Sequence, residues 1–201
     1  MAAAGFVLDP VANQPGTWMS PDGIPVDLMV PGALSQRGGR RGARIPPHAS
    51  NATRRAVGLE ATVIDSQTMQ IAALDPTDER TFEVRVAGPA GLLVSKLHKL
   101  GERRSTPSRL LDKDAHDIYR ILVACPTRDL AATLRRLRTD SLAGTVILAG
   151  LEFLDDLFVS PSALGSQMAG RAETGVGNPA TVAASVSALA ADLIAAVDDD
   201  E

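Results

Sequence analysis

The chain has 201 residues, 45% apolar and 22% charged, with a net charge of -4, a composition that excludes a disordered or collagen-like chain and predicts a packed core. Its single cysteine, Cys125, excludes an intrachain disulfide and a zinc site built on paired cysteines. No run of 18 unbroken apolar residues occurs, and the start MAAAGFVLDP has neither a basic n-region nor a long apolar h-region; a cytoplasmic protein without membrane contact is expected.

Up to about residue 88 the sequence reads as strands and turns. GFVLD (5–9) is a short apolar run closed by Asp-Pro, and TWMSPDGIPVDLMVP (17–31) carries a Pro-Asp-Gly turn between apolar segments, which predicts a hairpin. The Gly/Arg/Pro-rich stretch 35–55 predicts a loop without regular structure. VGLEATVID (57–65), TMQIAAL (68–74) and TFEVRVA (81–87) read as successive antiparallel strands, separated by polar turns.

After Gly88-Pro89 the hydrophobic period lengthens to that of a helix. Leu93, Leu97 and Leu100 define one helix, Leu111, Ala115, Ile118, Tyr119 and Leu122 a second, and Leu130, Leu134 and Leu137 a third. Further helical segments are expected at about 143–159 and 179–197. The reading is therefore an α+β protein: a strand-rich part over 1–88 and a helical C-terminal part over 89–201.

Charge is unevenly spread. Residues 36–55 hold six arginines (Arg37, Arg40, Arg41, Arg44, Arg54, Arg55) and no acid, whereas residues 172–201 hold six acids and no Lys or Arg. The arginine stretch can contact RNA or a nucleotide's phosphates; without interleaved aromatics, base stacking is unsupported, and a solvated loop is the simpler reading. His48, His98 and His116 lack partners at metal spacing, and neither a G-x-S-x-G context nor a GK[ST] loop occurs.

Two features depart from core patterning. Asp27, within Val26-Asp27-Leu28-Met29-Val30, must lie at a strand edge, be paired, or bind a metal, because an unpaired buried carboxylate costs several kcal/mol. In Leu111-Asp112-Lys113-Asp114-Ala115-His116-Asp117, Asp114 and Asp117 share a helix face, and Lys113 is spaced to pair with Asp117; a solvated charged face explains that run equally well.

The order of these pieces carries a resemblance. An h-D-h strand followed by proline (Ile24 to Pro31) is followed by a helix entered through Gly88-Pro89-Ala90-Gly91 and carrying Lys96, an Arg103-Arg104 break, and a K-D-x-x-D helix, Lys113 to Asp117, running into Ile118-Tyr119-Arg120-Ile121-Leu122. Over about residues 17–123 this resembles the AbiEii toxin-like nucleotidyltransferases of the polymerase-beta superfamily. The resemblance implies an incomplete nucleotidyltransferase-like mixed or antiparallel sheet, transfer of a nucleotide from an NTP to RNA or protein, and an antitoxin partner. It implies that Asp27 is the third carboxylate of a Mg²⁺ site, that Lys96 reaches nucleotide phosphates, that Asp114 and Asp117 shape or charge the site, and that Lys113 contacts nucleotide or neutralises its neighbours.

The family's G-S…D-x-D is not matched. The one Gly-Ser pair, Gly165-Ser166, has no D-x-D after it, and the one internal D-x-D is Asp112-Lys113-Asp114. The expectation is a truncated or degenerate member, weak or inactive in transfer, or a non-catalytic module binding nucleotide, RNA or a partner protein. Asp27, Lys96, Asp114 and Asp117 are expected to face one cleft.

Overall fold

The computed structural model describes residues 1–9, 14–37 and 41–199. The fold is mixed α+β, with seven α-helices among the described residues, several short sheets and a helical C-terminal region. By contact it divides into two units, Met1–Glu60 and Ala61–Glu201, so residues 61–88 belong with the helices.

In the first unit, β1 (Val7–Leu8), β2 (Thr17–Met19) and β3 (Pro25–Asp27) form an antiparallel sheet. The predicted hairpin is β2–β3. Its turn is closed by Ser20 N–H donating to Ile24 O and Ile24 N–H donating to Ser20 Oγ, with Gly23 at φ 78° supplying the left-handed step. β4 (Met29–Pro31) pairs in parallel with β7 (Arg54–Ala56), and β5 (Gln36–Arg37) pairs antiparallel with β6 (Ala43–Arg44). Gly16, at φ 86°, sits where these chains converge: a Cβ there would lie 2.5 Å from Leu28 O and 2.6 Å from Arg54 N. Ala43 is the one buried hydrophobic residue described in this unit, so backbone and side-chain hydrogen bonds hold it, including Trp18 Nε1 donating to Ala52 O at 2.8 Å.

In the second unit, the hairpin β8 (Ser66–Ala72) and β9 (Thr81–Ala87) precedes six helices: α2 (Pro89–Gly101), α3 (Asp112–Ala124), α4 (Thr127–Arg138), α5 (Gly144–Phe158), α6 (Leu164–Ala172) and α7 (Pro179–Asp198). The periodic leucines are the core. Leu93, Leu97 and Leu100 on α2, Ile118 on α3, and Leu134 and Leu137 on α4 are all at most 2% exposed. Burying each contributes about 1.5–3 kcal/mol. α7 has the length and mean hydropathy (1.8) of a membrane-spanning helix, but Val186, Ala190 and Leu193 are at 0% exposure, packed within a bundle in which α7 meets α4, α5 and α6.

Two expectations are corrected. Residues 57–65 do not form a strand: Glu60–Ile64 are helix α1. Glu60, 2% exposed, accepts from Gly58 N–H at 2.8 Å and Ala33 N–H at 2.9 Å, and these contacts override the β-propensity of Thr62, Val63 and Ile64. The stretch 35–55 is not irregular throughout, since β5, β6 and the start of β7 lie in it, held by strand pairing with one another and with β4. α6, unresolved by periodicity, is a further helix whose Gly165 and Ser166 are buried.

Candidate functional site

The charged residues singled out on α2 and α3 meet along one seam. On α2, Lys96 and Lys99 are three residues apart and share a face; on α3, Asp114 and Asp117 do the same. Lys96 Nζ donates to Asp117 Oδ2 at 2.5 Å, and Lys99 Nζ to Asp114 Oδ1 at 2.6 Å. As the α2 partner advances, the α3 partner retreats, which defines an antiparallel helix pair with two ionic rungs. Arg103 continues the cationic row, with Nη1 3.6 Å from Asp114 Oδ2 and donating to Arg109 O at 3.3 Å.

Burial separates the two rungs. Asp114 is 1% exposed and its Oδ2 has no hydrogen-bond partner among the described residues, while the side chains of Lys96 and Asp117 are 29% and 37% exposed. The hydrogen bond from Lys96, with the nearby charges of Arg120 and Lys99, holds the Asp117 carboxyl below the usual carboxylate range. Lys96 and Lys99 meet Asp117 and Asp114 one to one, and Arg103 stands beside Asp114 at the end of the seam away from Lys96. Lys96 has three N–H donors and spends one on Asp117, which leaves donors for an anion at the solvent edge.

α3 also reaches the other way. His116 Nε2 lies 2.5 Å from Glu173 Oε1, and Arg171 Nη2 donates to Asp112 Oδ1 at 2.7 Å, tying the helix to α6 and the turn after it. The expected Lys113–Asp117 pair does not form. Lys113 is exposed and Asp117 turns to Lys96 instead, because the α2–α3 seam offers a partly desolvated cation where the i, i+4 neighbour offers only a solvated one.

Asp27 lies in the first unit, at the end of β3. Its Oδ1 accepts from Thr17 Oγ1 at 2.6 Å and its Oδ2 from Arg54 Nη2 at 3.1 Å, so Asp27 is both exposed at the end of an edge strand and paired. Among the described residues no group of three His, Cys, Asp or Glu side chains is arranged to hold a metal ion. The residues present do not fit the implied Mg²⁺ pair: Asp27 is a single carboxylate, and the charge beside it is a guanidinium.

The arginine stretch divides by role. Arg54 binds Asp27 and Gln14 Oε1, and Arg55 Nε donates to Gly32 O at 3.0 Å, so both are structural. Arg41 and Arg44 are exposed; Arg37 ends β5 in register with Ala43, and Arg40 lies outside the described residues. Gly165-Ser166 serves helix packing, with Ser166 Oγ donating to Phe158 O at 2.9 Å.

Lys99 and Arg103 were given no site role from sequence, Arg103 entering only as part of the Arg103-Arg104 break. Their signal was present: Lys96, Lys99 and Arg103 at i, i+3, i+7 match the spacing of Asp114 and Asp117. Asp65 was also missed. It lies just past α1, and its Oδ2 accepts from Gly91 N–H at 2.8 Å, capping α2 where the N-cap residue, Gly88, has no side chain. No protein-family model, curated protein or solved structure matches this chain.

Proposed function

We propose that this chain is a nucleotidyltransferase-like protein whose α2–α3 seam binds the phosphates of an NTP through Lys96. The observation that carries the reading is the seam itself, in which the K-D-x-x-D carboxylates and the helix lysines form one ionic ladder whose Lys96–Asp117 end is partly exposed to solvent. Lys96 donates to phosphate oxygens, and Asp117 orients the Lys96 ammonium in the absence of ligand. Asp114 holds Lys99 in place from the buried side. Transfer of a nucleotide to RNA or protein is implied by the resemblance, and is weak or absent in this chain because the G-S…D-x-D ligands of a metal pair are missing from its sequence.

The test is nucleotide binding measured by calorimetry with each NTP at low salt, and with Lys96→Ala. Binding weakened about tenfold by the substitution and by added salt is expected, as for loss of one charge-assisted contact. Absence of binding at millimolar NTP, or binding indifferent to Lys96, refutes the reading. A parallel incubation with labelled NTP, Mg²⁺ and total RNA should give little labelling; robust labelling lost in Asp27→Ala would show an active metal site.

A second reading, a non-catalytic module that contacts RNA, is favoured by the exposure of Arg41 and Arg44. It predicts RNA binding that weakens in Arg41→Ala/Arg44→Ala while NTP affinity stays unchanged.

A further inference from the structure

The β8–β9 hairpin is a two-stranded ribbon with one apolar face and two open edges. The register pairs Met69 with Val84 and Ile71 with Phe82, so these four side chains project from one face, and all are 41–58% exposed. Thr68, Gln70, Glu83 and Arg85 occupy the other face. A lone two-stranded ribbon is marginal in water, and three or more strands are the usual stable minimum.

We propose that the open edge of β9 pairs with the same edge of a second copy of this chain, giving a two-fold, four-stranded antiparallel sheet. The hydrogen-bonding phase of the hairpin supports it. Gly88 N–H donates to Asp65 O at 2.7 Å and Ala73 N–H to Arg80 O at 3.2 Å, at the two ends of the ribbon. Hydrogen-bonded pairs alternate along an antiparallel ladder. Residues 82, 84 and 86 therefore turn their backbone groups to β8, and residues 81, 83, 85 and 87 turn theirs outward, unpaired among the described residues.

The side chains then select one register. Pairing two β9 strands about Val84 places Val84 against Val84, Phe82 against Val86, and Glu83 against Arg85, twice by symmetry. Each outward residue meets an outward residue, so the ladder is complete. Centring the two-fold axis on Glu83 or on Arg85 instead places like charges opposite each other. Glu83 has no partner among the described residues, and Arg85 Nη2 is held on this face by Ser66 Oγ at 2.5 Å, with its other N–H groups available to a carboxylate. The outer edge of β8 (Ser66, Thr68, Gln70, Ala72) carries no charge and selects no register. A seven-residue edge is a small interface, so the dimer dissociates in the micromolar range.

Sedimentation equilibrium of the full chain should show a concentration-dependent rise towards twice 21.0 kDa. Glu83→Arg, which makes both charge pairs repulsive, should weaken the dimer about tenfold or more, and Glu83→Arg/Arg85→Glu should restore it. Val84→Cys in a Cys125→Ala background should form an intermolecular disulfide, since the facing Cα atoms of a non-hydrogen-bonded pair lie about 4.5 Å apart, within disulfide range; Thr68→Cys in that background should not. A monomer at every concentration up to about 200 μM overturns the proposal. So does a dimer that Glu83→Arg leaves intact and Val84→Cys does not trap, which would assign the contact to another surface or partner.

Discussion

Replacing Lys99 with Met should cost more stability than replacing Asp114 with Asn, although the two side chains form one ion pair. Asp114 is 1% exposed and the Lys99 side chain 35% exposed. Lys99→Met leaves a buried carboxylate whose nearest cation, Arg103, stands 3.6 Å from Oδ2, outside hydrogen-bond range. Breaking a buried pair in this way costs about 3–5 kcal/mol, and the residual attraction of Arg103 places the expectation at the lower end, about 3 kcal/mol. Asp114→Asn leaves Lys99, a third exposed, free to swing into water, so only a charge-assisted hydrogen bond and a favourable charge near the start of α3 are lost, each at the low end of its range, about 2 kcal/mol together. Lys99→Met/Asp114→Leu removes both charges and should recover most of the loss. Urea unfolding followed by far-UV circular dichroism reads the helical unit, because the single tryptophan, Trp18, lies in the other one. Equal costs for the two single substitutions, or a double substitution as damaging as their sum, would refute the asymmetric-burial argument.

Two further predictions concern the frame of the seam. Asp65→Ala should destabilise the helical unit by about 1 kcal/mol through loss of the α2 cap; Gly88→Ser alone should also destabilise, since its Cβ would lie 2.3 Å from Asp65 Oδ1, yet in the Asp65→Ala background it should restore a cap, as read by thermal melts. Asp117 has a depressed folded-state pKa, so the stability it contributes is present above the ordinary carboxylate value of 3.8 and lost as pH falls through the lower folded value. Wild type and Asp117→Asn should therefore differ at neutral pH, by less than about 1 kcal/mol for so exposed a pair, and converge in acid; a difference that persists unchanged into acid would count against the Lys96–Asp117 assignment.

How far the sequence reached is visible residue by residue. Apolar residues at i, i+4, i+7 marked α2, α3 and α4, because a helix that buries one stripe has to repeat it at its own period, and the alternation of Met69 and Ile71 with polar residues marked β8 for the corresponding reason. The Pro-Asp-Gly turn marked β2–β3, since local backbone conformation is set by neighbours in the chain. Local rules failed where a distant side chain decided the outcome. Glu60, by accepting from Gly58 and Ala33, makes a helix of a segment rich in β-branched residues, and Asp65 caps a helix that begins 24 positions further on. The chemistry-bearing residues follow the same division. The presence and spacing of Lys96, Lys99, Asp114 and Asp117 were legible, but which lysine meets which carboxylate, and that Asp114 alone is buried, depends on the antiparallel approach of α2 and α3. Pairing is a property of two elements folded against each other, and burial a property of everything packed around them, so neither is written in the order of residues along one helix.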